Sequence, residues 1–503
     1  MAIRKICGIE TEYGIIVRGA EESNPITASS TLVNAYVAEM ALQGEVGRPH
    51  RVGWDFEDET PGNDARGEAL YLSFAPEVET HLVNAVLTNG SRYYVDHAHP
   101  ELSTPECATA RSVLLYDRAG EEIMLRSMTA ARALLPPGHE IVVYKNNSDG
   151  KGQSYGCHEN YLLDRGVPFG KLVVHATAHF VTRQIFTGAG KVGSEAPGAH
   201  VDDVPFQITQ RADFFEEEVG LETTLKRPIV NTRDEPHADA QKYRRLHVIV
   251  GDANMSEVAT LLKVGTTALW FAVVEDGAVD RELRFARPVP AMRHVSWDLT
   301  LAEPIEMVDG TRMTALEIQW ELYRQCQAYA ESHGLDAVGQ TEGEEILSLW
   351  EHVLSGLERD PMSVADIVDW AAKYRLLQGY RERHDVSWGD ARLRAMDLQY
   401  HDLRPEKSLG RRAGLRTIVD EPEAKAAMTE PPEDTRAWFR GRCLQRFADE
   451  IVAANWDSMV FDVGGASLQR VPMMEPLRGT KAHVGELVES AESAADLIRR
   501  LGA

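Results

Sequence analysis

Chemistry-bearing residues concentrate between Ser91 and Cys107, in the stretch SRYYVDHAHPELSTPEC. Arg92, Tyr94 and Asp96 alternate there with Tyr93 and Val95. Alternate residues of a β-strand share a face, so a guanidinium, a phenol and a carboxylate project together while the other side packs. His97, His99, Glu101, Ser103, Thr104 and Glu106 follow, in a segment that Pro100 and Pro105 stiffen into a predicted turn. Alone, this stretch fits a polar edge strand running into a surface loop as well as it fits a metal–nucleotide site. Other stretches have to converge on it.

Three do. Glu10 and Glu12 share one face of a predicted strand over 5–17, and carboxylate oxygens suit hard cations. His158 and Asn160 alternate in YGCHENY. Arg245 and His247 share a face of RRLHVIVGD, a predicted strand over 244–252. Each has a bland counterpart: a solvated edge, a packed histidine, a structural ion pair. Together, with Glu101 and Thr104 between them, they point to Mg²⁺ with a nucleotide polyphosphate. Arg neutralises phosphate oxygens, while Glu and His hold the metal.

The elements that must position these groups read as follows. A helix is predicted over 29–43 and a Gly-, Pro- and charge-rich loop over 44–76, whose Trp54 and Phe56 mark it as docking on something. Helices are predicted over 79–89, 107–135 and 169–186, and strands over 140–146 and 206–214, the latter carrying Arg211. The GAGKVG segment lacks the spacing of a phosphate-binding loop. Ser256 begins a helix to about Val274, and 314–396 is mostly helical scaffold. A basic island, HDLRPEKSLGRRAGLR over 401–416, precedes a boundary at 429–434. After it come a helix over 435–455, the strand SMVFDV and a last helix.

The 503 residues carry 53 basic and 78 acidic side chains, a net charge of −25, which excludes a general nucleic-acid binder. Five scattered cysteines without a C-x-x-C pair argue against a disulfide framework or zinc site, and for a reducing cytoplasm. The N-terminus is not a signal peptide, and the apolar run over 268–274 is too short to cross a membrane, which takes about 20 residues.

GIETEYG, RYYVDHAHPELSTPEC, SYGCHENY, RRLHVIVGDANMSE and QRVPMMEPLRGT together resemble the Pup ligase/depupylase family. Its members attach prokaryotic ubiquitin-like protein (Pup) or remove it. They belong to the carboxylate–amine ligase superfamily that includes glutamine synthetase. The resemblance implies an α/β (α+β) fold: a glutamine synthetase-like catalytic domain over 1–430, its curved, mainly antiparallel sheet backed by helices, and a small C-terminal domain over 431–503. The 44–76 segment resembles a flexible loop inserted in the hydrolase branch, and HAHPE resembles that branch where the ligase has a glycine–serine variant.

The resemblance further implies ATP and Mg²⁺ as cofactors. Asp96 matches the residue essential for catalysis, as nucleophile or as general base. Glu10, Tyr94 and Glu101 match metal positions, with His158 and His247 beside the metals. Arg92, Thr104, Asn160, Arg245 and Trp456 match the nucleotide side. The implied partners are Pup and pupylated proteins, with no nucleic acid and no membrane. An acidic enzyme needs a basic groove for an acidic partner, and Arg411 and Arg412 are the candidates for it. The expected activity is deamidation of the C-terminal Gln of Pup and cleavage of the Pup–lysine isopeptide bond, with the ligase reaction as the alternative. Intact Asp96 and Glu10 argue against a catalytically silent nucleotide-binding adaptor.

Overall fold

The computed structural model describes residues 1–21, 24–42, 52–57, 59–67, 83–465 and 467–502. The predicted loop over 44–76 therefore lies partly outside the described residues, as does the start of the helix predicted over 79–89.

Along the chain, β1 (Cys7–Glu12), β2 (Gly14–Arg18), α1 (Pro25–Leu42), β3 (Gly53–Trp54), β4 (Asn84–Val86), β5 (Arg92–Asp96) and β6 (His99–Ser103) come first. Next are α2 (Ala110–Ala131), β7 (Glu140–Tyr144), β8 (Cys157–Asp164) and α3 (Phe169–Thr182). The short strands β9 (Lys191–Val192), β10 (Phe206–Gln207) and β11 (Phe215–Gly220) follow, and β12 (Arg227–Asn231) and β13 (Tyr243–Val248) lead into the core helix Glu257–Glu275. Six strands form one sheet in the order β13-β8-β1-β6-β5-β4. Every pairing in it is antiparallel.

The alternating strand pattern dictates what each face does. Ile9, Tyr93, Val95, Leu102, Tyr161 and Leu246 are buried on the back of the sheet. Against that back pack α1, α2 and the Glu257–Glu275 helix. That helix is long and apolar enough to cross a membrane, but its whole span is buried in the core. Glu159 also points back, where it meets Arg183 at 2.6 and 2.8 Å and accepts from Tyr161 Oη at 2.6 Å. A buried charge is tolerable when it is paired this fully.

Several expectations are corrected. The strand predicted over 5–17 is broken at Tyr13: β1 belongs to the large sheet, while β2 pairs with β7 in a separate ribbon. Gly14 permits the passage, because a Cβ there would sit 2.3 Å from Asn146 Oδ1 and 2.5 Å from Tyr155 Oη. Asn84–Val86 is an edge strand rather than helix, since pairing with β5 outweighs local helical preference. The turn predicted after Asp96 is two residues long, and His99–Ser103 returns as β6. Pro100 is tolerated there because the β1–β6 pairing starts only at Glu12↔Glu101.

The strand predicted over 206–214 shrinks to Phe206–Gln207. Thr209 Oγ1 and Gln210 N bond Asp252 at 2.7 and 2.9 Å instead of extending a ladder. The helix predicted over 435–455 stops at Phe447, and Ile451–Ala454 is a strand. The single last helix is two, Lys481–Ser490 and Ala494–Leu501.

A large hydrophobic cluster runs from Cys7 to Met428. A second one joins Trp438, Phe439, Leu444, Phe461 and Leu497 with Val52 from the 44–76 segment. β3 completes the sheet of this second unit, running parallel to Ile451–Ala454. Between the two clusters, Arg436 and Arg440 close on Glu106, which follows β6. Burial works against the Glu106 charge, but Arg440 and Arg436 override it and hold its pKa down to about 2. The folded value lies below the ordinary one near 4.5, so the stabilisation is present above pH 4.5 and is lost as pH falls toward 2. Two to three pKa units correspond to about 3 kcal/mol. Glu106→Gln is expected to lower the thermal midpoint at pH 7 by several degrees and to flatten its decline between pH 5 and 2.5, both read by differential scanning calorimetry.

Candidate active site

The register of the sheet places the candidate residues on its open face. Directly opposed residues share a face. Gly8 opposes Asn160, which opposes His247; Glu10 opposes His158 on one side and Ser103 on the other; Ser103 opposes Arg92. Glu12 opposes Glu101, which opposes Tyr94, and His99 opposes Asp96. One face of five strands thus carries four carboxylates, three imidazoles, two guanidiniums and a phenol.

These groups form two adjacent clusters. Glu10, His158 and His247 each offer a donor atom within 4.8 Å of the others, and so do Glu12, Asp96 and Glu101. In the first, Asn160 Nδ2 donates to Glu10 Oε1 at 2.8 Å. Asn160 Oδ1 meets His247 Nδ1 at 3.0 Å and accepts from Arg245 Nη1 at 2.6 Å. Burial works against the Glu10 charge, yet His158 and the neighbouring positive charges hold its pKa well below the usual carboxylate range. Burial, reinforced by Arg245 and His158, pushes the His247 pKa well down. His247 is therefore a neutral imidazole, and its Nε2 is buried with no hydrogen-bond partner.

In the second cluster, Gly156 N donates to Glu12 Oε1 at 2.7 Å, and His99 Nδ1 lies 3.6 Å from Glu12 Oε2. Despite burial, His99, His158 and the Gly156 amide lower the Glu12 pKa. Glu101 goes the other way. Burial and the charges of Asp96, Glu12 and Glu10 push it well above its ordinary value, and Tyr94 Oη donates to it.

The chemistry of the donors shows which ion they suit. Neutral imidazole with an orphaned Nε2, its other nitrogen fixed by an amide, is the arrangement of a histidine that ligates metal. Crowded carboxylates whose charges push the pKa of Glu101 upward are what a divalent cation relieves. Glu10, Glu12, Asp96, Glu101, His158 and His247 suit Mg²⁺ or Mn²⁺. Tyr94 meets the site as the hydrogen-bond donor of Glu101. Glu12, which shares a strand face with Glu10 in the sequence, joins the second cluster; His99 is a further site residue, and its sequence signal is strand parity with Glu101.

Beside the first cluster lies an open pocket with about 550 Å³ of empty volume. Glu10, Thr104, Asn160, Arg245 and Trp456 line it, with Gly8, His237 and Arg436. A Cβ at Gly8 would sit 3.3 Å from Thr104 Oγ1, which already accepts from Ile9 N at 3.1 Å. Arg245 and Arg436 bring positive charge to a lining that also holds Glu10 and Glu106. His237 and Arg436 are additional lining residues, which their spacing in the sequence gave no means of linking to Glu10. Arg92 lies outside this lining: its guanidinium stacks over Trp54 at 4.0 Å and Tyr94 at 3.9 Å, and its Nε donates to Asn84 Oδ1 at 3.0 Å.

Arg411 and Arg412 are not gathered with these groups. Arg411 Nη2 donates to Glu121 Oε2 at 3.3 Å, and Arg412 bonds the carbonyls of Ser408 and Lys407 at 3.0 and 3.3 Å. Both residues remain exposed.

An antiparallel sheet with a carboxylate–imidazole face beside a pocket bordered by Arg245 and Arg436 is the site of an enzyme of mixed α/β fold. The model of the family described as Pup-ligase protein matches residues 5–460, and the chain belongs to that family. It is 51% identical to a depupylase from Acidothermus cellulolyticus, with 99% of both chains covered. It is 46% identical to a Pup deamidase/depupylase from Mycobacterium tuberculosis, over 100% of this chain and 99% of that one. A Pup–protein ligase from Kineococcus radiotolerans is 39% identical over 81% of this chain and 90% of its own. Among solved structures, the ligase PafA in complex with Pup superposes with a TM-score of 0.79 at 29% identity, covering 99% of this chain and 94% of that one. PafA in complex with ADP gives 0.73 at 33% identity, covering 81% and 89%.

Asn160 orients both a candidate ligand carboxylate and a candidate ligand imidazole. Asn160→Ala is therefore expected to weaken Mn²⁺ binding by roughly 10–100-fold, the usual effect of removing such an orienting partner. Titration followed by electron paramagnetic resonance of free Mn²⁺ measures it; unchanged affinity would show that the imidazole does not ligate.

Proposed function

We propose that this chain is an ATP- and Mg²⁺-dependent amidohydrolase that converts the C-terminal Gln of Pup to Glu and cleaves the isopeptide bond between Pup and substrate lysines. One observation carries this reading over the ligase reaction. Similarity to depupylases at 46–51% identity runs through 99–100% of the chain, whereas the ligase from K. radiotolerans aligns over 81% at 39%.

The chemistry follows from the sheet face. Asp96 stands at the solvent end of β5 with its side chain 39% exposed, the most accessible carboxylate of its cluster. It supplies the group that attacks the amide carbonyl or takes a proton from the attacking water. The C–N bond breaks, the carbonyl carbon gains an oxygen, and the nitrogen leaves protonated, as ammonia from Gln or as the lysine amine from an isopeptide. A divalent cation supplies Lewis-acid stabilisation of the developing oxyanion. Glu10, His158 and His247 would hold one such cation, and Glu12, Asp96 and Glu101 another. Arg245 and Thr104, with Asn160, would bind the phosphates, Trp456 would pack near the base, and Arg92 would lend charge from its aromatic stack. The related PafA, solved in complex with ADP, supports nucleotide binding by this chain.

The same reading makes the large sheet and its helices a glutamine synthetase-like catalytic domain over 1–430, followed by a small C-terminal domain over 431–503. Its partners are Pup and pupylated proteins, its compartment the cytoplasm. Arg411 and Arg412 contribute to the Pup-binding surface, Arg412 more, because Arg411 is tied to Glu121. Arg411→Glu/Arg412→Glu is expected to raise the Kd for Pup at least fivefold by fluorescence anisotropy; an unchanged Kd removes these residues from the interface.

The central test is mass spectrometry of Pup ending in Gln, incubated with the protein, ATP and Mg²⁺. Conversion of the terminal amide to the acid is expected, and Asp96→Asn should slow it by at least 10³-fold. Attachment of Pup ending in Glu to a lysine substrate with stoichiometric ADP, without deamidation, would establish the ligase reaction instead.

A further inference from the structure

Asp96 and His99 close the β5–β6 hairpin, leaving His97 and Ala98 as the two-residue loop. His97 has φ of +51°, the left-handed region, and is one of only five non-glycine residues with positive φ among the described residues. A glycine would adopt this conformation freely. Asn, Asp and His are the side chains that tolerate it best. Burial does not account for a histidine here, because its side chain is 62% exposed. Its imidazole instead turns back along the hairpin, with Nδ1 2.9 Å from Asp96 Oδ2.

Asp96 needs such a partner. It shares a cluster with Glu12 and Glu101, in which one carboxylate oxygen of each lies within 4.8 Å of the others. At the end of a strand and half in solvent, its χ angles have little packing to fix them. A hydrogen bond from the neighbouring loop fixes the plane of the carboxylate, and it works because the backbone at residue 97 is left-handed.

We propose that His97 is a positioning residue for the reacting carboxylate: Nδ1–H holds Asp96 Oδ2 and leaves Oδ1 aimed at the substrate amide. This rests on the amidohydrolase reading and on Asp96 as its reacting group. Strained backbone at a functional site, retained where glycine would relax it, is how orientation is commonly secured.

The left-handed backbone supplies a clean pair of variants. His97→Gly relieves the backbone but deletes the hydrogen bond; His97→Asn tolerates the same φ and returns an N–H donor. Deamidation of Pup ending in Gln is followed by mass spectrometry under ATP and Mg²⁺, with wild type and Asp96→Asn alongside. His97→Gly is expected to melt at or above the wild-type temperature, yet lose about tenfold in kcat, the scale of one charge-assisted hydrogen bond, with KM within twofold. His97→Asn is expected to recover most of that loss. A His97→Gly enzyme with wild-type kcat, or a loss that Asn leaves unrepaired, overturns the proposal. If wild type itself fails to deamidate, the amidohydrolase reading falls instead, and the two failures are told apart in one experiment.

Discussion

Four carboxylates are fixed on one rigid sheet face, and the structure around them manages their repulsion. Glu10, Glu12, Asp96 and Glu101 cannot spread apart, because the strands that carry them are locked in register and anchored by a buried back face. Their charge is answered piecemeal. Glu12 receives the Gly156 amide, Glu10 receives Asn160 and the field of Arg245, and Asp96 meets His97. Among the described residues Glu101 meets no cation, and it is pushed toward its protonated form. A divalent ion is the remaining remedy there, and in the neighbouring cluster the neutral His247 is ready to bind one.

The charges are also ordered across the sheet. Arg245 on β13 and Arg436 at the pocket rim stand on the side of the first cluster, while Asp96 and Glu101 stand on the side of the second. The second hydrophobic unit takes part in this order. Trp456 reaches the pocket from it, and Arg436 and Arg440 clamp it to the chain immediately after β6 through Glu106. The clamp keeps the C-terminal unit from drifting off the pocket that Thr104 borders.

Much of this face was legible in the sequence because strand parity is a strict rule. Once 92, 94 and 96 share a side, so must 10 with 12, 158 with 160, and 245 with 247. Parity does not say which strands are neighbours. The order β13-β8-β1-β6-β5-β4 depends on long-range pairing, and that is why the sequence pairs Glu12 with Glu10 without bringing it to Asp96 and Glu101, and leaves His99 unassigned. Local propensity failed where tertiary pairing overrode it: Asn84–Val86 became an edge strand, and Ile451–Ala454 left a helix to build the second sheet. The basic island around Arg411 reads in sequence as a groove for an acidic partner; in three dimensions one of its charges is already engaged by Glu121, a residue of α2 far away in the chain.

Arg92 shows how the 44–76 segment enters the site. Its guanidinium lies 4.0 Å from the Trp54 ring and 3.9 Å from that of Tyr94, and Trp54 in turn meets Trp456 edge-on at 5.2 Å. Among the described residues no carboxylate pairs with Arg92; aromatic faces and the Asn84 amide hold it in place. Aromatic stacking fixes a guanidinium without neutralising it. An arginine held this way keeps its charge for an incoming anion, whereas one paired to Glu101 or Asp96 would have spent it and quieted the acids that the metal needs. The segment from Gly53 onward is thus structural equipment of the site: by supplying Trp54 it lets a cation and an acidic cluster share one sheet face without cancelling each other.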